Sequence, residues 1–415
     1  MYFLYNIALL ISSFLLKIVA VFNSKIKLFM NGREKTFEIL RTSISDSDTV
    51  IWFHCASLGE FEQARPVIEK IRQAESNLQQ YKILVTFFSP SGYEAQKNYT
   101  QADVVCYLPL DTKRKTKRFI ELANPKVAIF VKYEFWPNLL NELKKNKIKT
   151  LLISGIFRND QVFFRIYGRW MRKTLHNFDH FFVQNKNSKK LLKGIGFEHV
   201  TVNGDTRFDR VYDILNRDNT ILDIQNFKNN KQVLVAGSTW PEDESLLIQY
   251  INNHASVDEK FIIAPHNINA HEIKKLKKSI NKETILFSNV NNQNIQNAQV
   301  LIVDSIGILT KIYSYANVAY VGGGFKTGLH NILEPATFGV PILIGPKYQK
   351  FNEAIELVNE GGCIVINSQI DLNVNLKELF QNEKALSEKG RISKNYVKNN
   401  IGATDYILNY LHKQL

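Results

Sequence analysis

The sequence predicts two doubly wound α/β domains preceded by a membrane-anchor helix. Three observations carry this reading. Strand-like and helix-like segments alternate in both halves of the 415 residues, a length too great for one ordinary core. A polar stretch rich in Asn and Asp, residues 216–231, interrupts the alternation midway. Residues 1–23 are apolar or aromatic along most of their length, and Lys17 is their one charge.

The N-terminal segment reads MYFLYNIALLISSFLLKIVAVFN. It matches the ~20 apolar residues a helix needs to cross a bilayer. No Lys or Arg precedes Lys17 and no Ala-x-Ala follows it, so the segment reads as an uncleaved anchor and not as a secretory signal. Lys25, Lys27, Arg33 and Lys35 come directly after, and the positive-inside tendency places the rest of the chain in the cytoplasm. In a spanning helix Lys17 would have to snorkel, so a buried or interfacial helix stays open as the other reading.

The alternation that follows is regular. In the first half the runs 49–53, 82–88, 104–108, 127–131, 150–153 and 180–184 are rich in β-branched and aromatic residues and read as strands. Helical spacing falls between them at 61–73, 91–99, 113–122, 136–145 and, as one long helix, 161–175. The second half restarts with strands at 232–236, 260–264, 300–303, 318–321 and 341–344, and helices at 242–252, 308–315, 331–338 and 351–359. The domains are therefore drawn as an anchor at 1–23, a first domain at 24–215, a linker at 216–231 and a second domain at 232–415. Ligands of such folds sit at the carboxyl ends of strands.

The net charge of +14 fits nucleic acid, an anionic membrane surface or acidic substrates as partners. No helix-turn-helix, zinc-finger or RNA-recognition signature accompanies it, which argues against nucleic acid. Cys55, Cys106 and Cys363 are odd in number and far apart, so neither a disulfide framework nor a zinc knuckle is expected. Asp46-Ser47-Asp48 precedes the first strand and reads as a polar turn; no metal site is expected.

Three constellations carry candidate chemistry. His54 to Glu60 (HCASLGE) ends a strand and starts a helix, where small residues let a ligand approach the backbone. Glu60 stands in the first helical turn, either as a ligand-facing carboxylate or as a helix-start residue stabilised by the macrodipole. Lys132 to Asn138 (KYEFWPN) places Glu134 in a loop beside aromatics, where desolvation raises a carboxyl pKa; a surface loop packed by Trp136 is the plainer reading. Gly322 to Pro335 (GGGFKTGLHNILEP) is a glycine-rich loop leading to a helix with Asn331 and Glu334 in its first turn. Such a loop either offers N–H groups to phosphate or is only a tight turn. Arg207, in Gly204–Asp209, can clamp a carboxylate or phosphate, and Pro265-His266 ends a strand of the second half. Arg165, Arg169, Arg172 and Lys173, interleaved with Phe163, Phe164, Tyr167 and Trp170, read as a basic amphipathic helix, either for an anionic lipid surface or as a solvated face over buried aromatics.

Together the motifs at 56–60, 86–92, 134–138, 204–209, 237–240 and 330–335 resemble those of the 3-deoxy-D-manno-octulosonic acid (Kdo) transferases of lipid A assembly. The resemblance implies a GT-B fold, two Rossmann-like domains facing a cleft behind a membrane anchor. It implies CMP-Kdo as donor, a lipid A precursor (lipid IVA) as acceptor, inversion at the anomeric carbon, no cofactor and no catalytic metal. It implies residence at the cytoplasmic face of the inner membrane, with the lipid surface as a partner. By the same resemblance Glu60 is the general base, and Glu134 and Arg207 steady the transition state. Pro265, His266, Ile306, Gly307, Ile308, Asn331, Ile332, Leu333 and Glu334 match the CMP-binding positions. The chain departs from the family pattern where Pro-Arg-His is replaced by Pro265-His266-Asn267 and Gly-Glu by Gly307-Ile308. Other readings of the same features are a UDP-sugar transferase or epimerase, or a membrane-tethered nucleic-acid-binding protein.

Overall fold

The computed structural model describes residues 1–73, 77–292, 295–326 and 328–415. Thr327 of the glycine-rich loop and the side chain of Lys25 lie outside the described residues. The chain divides into two compact units, Met1–Asp209 with Ile401–Leu415, and Arg210–Asn400.

Each unit is built on a seven-stranded sheet, and the strand pairs within each are parallel. In the first unit the strands are β1 (Val50–Cys55), β2 (Lys82–Phe87), β3 (Val104–Tyr107), β4 (Pro125–Val131), β5 (Lys149–Gly155), β6 (His180–Val183) and β7 (Val200–Val202). Their order across the sheet is β3-β2-β1-β4-β5-β6-β7. In the second they are β8 (Gln232–Thr239), β9 (Glu259–Pro265), β10 (Thr284–Leu286), β11 (Val300–Ile302), β12 (Val318–Val321), β13 (Ile342–Ile344) and β14 (Cys363–Val365), in the order β10-β11-β9-β8-β12-β13-β14. The central strands are buried on both faces, as β1 shows over its whole length, which is why their sequences are continuous apolar runs with no alternation. The order of the strands reverses between β1 and β4 and between β8 and β12. Those two switch points are where doubly wound sheets open a crevice for ligands.

Before the first sheet come α1 (Tyr2–Phe22) and α2 (Ser24–Ser43). Among the described residues α1 is the one helix long and apolar enough to cross a membrane, and none of its residues is buried. Its first turns are nevertheless fastened to the first unit. Tyr5 Oη donates to Asp111 Oδ2 at 2.7 Å, Tyr2 Oη donates to Asn138 Oδ1 at 2.5 Å, and Asn138 Nδ2 donates to Asn6 Oδ1 at 2.9 Å. Asp111 in turn accepts from the backbone N–H groups of Asn138 and Leu139, at the start of the helix Pro137–Lys145. Beyond α1 the chain returns through α2, which buries Met30, Arg33, Thr36 and Leu40 at helical spacing. Arg33 Nη2 donates to the Phe88 carbonyl at 2.6 Å and Thr36 Oγ1 to the Tyr107 carbonyl at 2.9 Å.

Several expected elements take another form. The long helix drawn over 161–175 is two 3₁₀ turns, Val162–Phe164 and Ile166–Gly168, followed by a short α-helix, Arg169–Leu175. Gly168 lies so close to the Val162 carbonyl that a Cβ there would overlap it, so the chain folds back at this point instead of continuing as a helix. The stretch read as a linker contains the helix Leu222–Lys228, whose Ile224 and Phe227 are buried. The last fifteen residues, assigned to the second domain, pack in the first: Ile407, Leu408 and Leu411 of the helix Ala403–Gln414 join the core under β1, β2 and β4. Asp209 holds this segment. Its carboxylate accepts from the Gly402 and Thr404 N–H groups at 2.5 and 2.7 Å and from Thr404 Oγ1 at 2.6 Å.

Asp209→Ala is therefore expected to destabilise the first unit by about 2 kcal/mol, the cost of leaving buried donors at a helix start without their acceptor. Urea unfolding monitored by circular dichroism measures this; unchanged stability would show that the C-terminal helix is held by its apolar face alone.

Candidate active site

The first unit places its candidate residues at its switch point. β1 ends at Cys55 and runs into α3 (Leu58–Gln73), with Glu60 in the first turn. β4 ends at Val131, and Lys132 adopts a left-handed conformation (φ 65°) that turns the chain into Glu134. Both carboxylates are buried, at 9% and 8% exposure. Glu60 Oε2 accepts from the Ala56 N–H at 2.5 Å. Glu134 Oε2 is held by two rings, Trp136 Nε1 donating at 2.6 Å and His54 Nε2 lying at 3.0 Å.

The histidine ring is fixed by its surroundings. Trp52 Nε1 donates to Thr86 Oγ1 at 2.8 Å, and His54 Nδ1 lies 2.8 Å from the same oxygen. His54 Nδ1 also lies 3.2 Å from the Thr86 carbonyl, so the ring is held at both nitrogens, with Nε2 facing Glu134. A buried relay thus runs Trp52–Thr86–His54–Glu134, and it gives Glu134 partners that Glu60 does not have.

That asymmetry sets the acid–base character of Glu60. Burial pushes its carboxyl up to about 7, and the charge of Glu134 adds to the effect; the Ala56 and Ser57 N–H groups and Lys132 only partly oppose it. Arg207 lies in the same unit. Its Nε and Nη2 meet Asp205 Oδ2 at 2.9 and 2.8 Å, and that oxygen also accepts from Gln63 Nε2 of α3. Burial alone would raise Asp205, yet the Arg207 guanidinium holds it below the ordinary carboxylate range.

In the second unit, a cavity of about 260 Å³ lies at the β8/β12 switch point, lined among others by Ser238, Gly307, Thr310, His330, Asn331 and Glu334. Glu334 is fixed from both sides: Thr310 Oγ1 donates at 2.7 Å and Asn331 Nδ2 at 3.0 Å. Trp240 Nε1 donates to His330 Nε2 at 3.1 Å. Burial, with the neighbouring charge of His266, pulls His330 down to about 4, so at neutral pH it is uncharged and carries its proton on Nδ1. The His266 ring stacks on Trp240 at 4.7 Å and meets His330 at 4.5 Å. Pro265 lines an adjoining cavity of about 220 Å³ with Trp240 and Asn267.

In the glycine-rich loop three N–H groups have partners within the protein, as the tight-turn reading expects. The Gly323 N–H donates to Asp243 Oδ2, that of Gly322 to the Gly237 carbonyl and that of Gly328 to the Gly323 carbonyl. These donors are consumed within the protein. The glycines instead allow close packing: a Cβ on Gly322 would approach Thr239 Cα to 2.7 Å, and one on Gly324 the Gly345 nitrogen to 2.7 Å. The helix expected from 331 begins at Leu333, so Asn331 precedes it and only Glu334 lies in its first turn. Ile332 and Leu333 are core residues, Ile306 is exposed, and Ile308 caps the helix Leu309–Ile312. Sequence reading singled out neither His54 as the partner of Glu134 nor Asp243 as the acceptor inside the loop. A buried histidine in a strand reads as core, and Asp243 reads as one acid among three in a helix start. Among the described residues, no group of three or more His, Cys, Asp or Glu is placed to hold a metal ion.

Comparison with known proteins agrees with this geometry. Residues 31–210 match the family described as 3-Deoxy-D-manno-octulosonic-acid transferase (kdotransferase). A 3-deoxy-D-manno-octulosonic acid transferase of Aquifex aeolicus is 29% identical over 371 residues, covering 86% of this chain and 95% of the relative. One of Chlamydia trachomatis serovar A is 27% identical and covers 88% of each chain. A solved UDP-GlcNAc 2-epimerase of Neisseria meningitidis shares the fold with a TM-score of 0.61, at 14% identity, over 88% of this chain and all of that one. The fold is of the GT-B kind, and the class is a glycosyltransferase. Within that class the chain is similar to the Kdo transferases, the family its motifs resemble, and the match lies over residues 31–210.

The raised Glu60 carboxyl has a consequence for stability. Below its ordinary value of 4.5 the folded and unfolded chains both hold the proton. As pH rises from 4.5 to about 7 the unfolded chain ionises first, so stability falls across that window and then levels off. Glu60→Gln keeps the shape without the charge. It is expected to be more stable than the native chain above pH 7, by up to about 3 kcal/mol, with the gap closing by pH 4.5. Urea unfolding at several pH values checks this, and a gap independent of pH would contradict the buried-carboxyl account.

Proposed function

We propose that the protein transfers Kdo from CMP-Kdo to the lipid A precursor lipid IVA, with inversion at the anomeric carbon and without a catalytic metal. The observation that carries this reading is Glu60: a carboxylate at a sheet switch point whose proton affinity burial has raised to about 7. Such a group is ionised enough at neutral pH to accept a proton and basic enough to pull one from a sugar hydroxyl. In the proposed step Glu60 takes the proton of an acceptor hydroxyl while its oxygen forms a bond to the anomeric carbon. The bond from that carbon to the phosphate oxygen breaks, and CMP departs with the electron pair. Glu134, fixed by His54 and Trp136, and the Arg207 guanidinium provide the charges that steady the transition state. For the donor, Glu334 accepts from ribose hydroxyls and the Nδ1–H of His330 donates to a phosphate oxygen in this reading, supported by the contacts that fix both side chains.

The expected outcome for Glu60→Ala is a loss of transfer of ~10²-fold or more, the range of general base catalysis. CMP-Kdo binding, read by calorimetry, should stay within threefold. Product is followed as labelled Kdo on the extracted lipid; transfer at the native rate would overturn the assignment.

The same reading puts the protein on the cytoplasmic face of the inner membrane, and the supporting observation concerns α1. Its first turns hydrogen-bond to Asp111 and Asn138, and its far end returns to the same unit through α2. A helix crossing a bilayer has its ends ~30 Å apart on opposite sides, which this fastening opposes. We therefore place α1 in the plane of the interface, with Phe3, Leu10 and Val21 among the exposed apolar residues that enter the lipid. Nitroxide labels at these three positions are expected to show one shallow depth of ~5–10 Å. A label at Leu10 near the bilayer centre, with the other two shallow, would establish a spanning helix instead.

A further inference from the structure

Beside the first turn of α1 the first unit opens a cavity of about 590 Å³, lined by Tyr2, Asn141, Tyr167, Arg169, Trp170 and Lys173, with no Asp or Glu in its wall. Nothing in the proposed transfer uses it. Arg169 and Lys173 stand four residues apart in the helix Arg169–Leu175, so both face the same way. Like charges at that spacing repel and destabilise a helix, and an anion seated between them removes the repulsion. The other lining residues are chiefly aromatic with a polar edge, the kind that settles between headgroups and acyl chains. The Trp170 ring lies 6.0 Å from Tyr5 of α1, and Ile166 and Tyr167, 98% and 73% exposed, extend the apolar surface next to it. The cavity is thus continuous with the exposed apolar face of α1. It joins two cations to a surface suited to hydrocarbon.

We propose that this cavity binds the phosphate headgroup of an anionic phospholipid from the leaflet on which α1 lies. Arg169 and Lys173 take the phosphate oxygens, the aromatic rims hold the glycerol region, and the acyl chains run along α1. This rests on the in-plane reading of α1 given above. The two cations account for selection of charge, while α1 accounts for attachment to any bilayer.

The test uses the full chain and vesicles of phosphatidylcholine, alone or with one-fifth phosphatidylglycerol, in a flotation assay. Arg169→Gln with Lys173→Gln is compared with a matched pair elsewhere on the unit, Lys186→Gln with Lys190→Gln, at the same spacing on the helix Lys186–Lys193. The cavity pair is expected to lose about 30-fold in affinity for the phosphatidylglycerol vesicles, the effect of two cations near an anionic surface, and nothing on phosphatidylcholine alone. The matched pair should lose less than about threefold if the effect is local to the cavity and not general surface attraction. Equal losses for both pairs, or none for the cavity pair, would overturn the proposal. So would loss of the phosphatidylglycerol-dependent gain in affinity at millimolar glycerol 3-phosphate, which would make the ligand a soluble phosphate. Retention of the native chain on phosphatidylcholine alone reads α1, so the anchor and the headgroup site fail separately.

Discussion

Two carboxylates buried at one switch point of a parallel sheet cannot both be charged without help, and the arrangement of the first unit follows from which of them receives it. Glu134 is held by two rings, Trp136 donating its Nε1–H and His54 Nε2 lying against the same oxygen. Glu60 is given backbone N–H groups and a neighbouring lysine, which do not offset its desolvation. The result is a pair of buried carboxyls with different supports, one held by two rings and the other with its proton affinity raised by burial. Its supports reach through the unit: Thr86 and Trp52 orient His54 from inside the sheet. Phe88 stacks on Trp136 at 4.9 Å, and its carbonyl accepts from Arg33 of α2. The helix that follows α1 is therefore packed directly behind the acidic site.

The second unit solves a different problem on a parallel sheet of different strand order. Its glycines bring strand ends close together, and the N–H groups of Gly322, Gly323 and Gly328 are taken up within the protein. Glu334 is held by Thr310 and Asn331, and a neutral His330 is fixed by Trp240. Asp243, buried and accepting from Tyr320 and the Gly323 and Trp240 N–H groups, is the internal strut that shapes this loop.

Much of this was legible in the sequence, for definite reasons. Strands buried on both faces write themselves as runs such as VIWF and VAIFV, and both switch points fall where motifs of small, acidic and glycine residues had been noticed. Glu60 and Glu134 were visible because each follows a strand. What stayed hidden depends on contacts distant in the chain. The break at Gly168 comes from the Val162 carbonyl, which periodicity does not register. The C-terminal helix joins the first unit because Asp209, nearly two hundred residues earlier, caps it. The short strands β7, β10 and β14 are only partly buried, so their three residues do not form an apolar run, whereas β11 and β13, equally short, are buried throughout and were legible. His54 is the instructive case: its position reads as core, and only the relay from Trp52 to Glu134 makes it a polar partner.

The central claim is that burial gives Glu60 the proton affinity of a base working near neutrality. The pH dependence of kcat/KM for transfer from CMP-Kdo tests it most directly. The account predicts an acid limb of unit slope with its midpoint near 7, set by ionisation of Glu60 in the free enzyme. A rate that stays flat from pH 8 down to an ordinary carboxylate midpoint near 4.5 would contradict it.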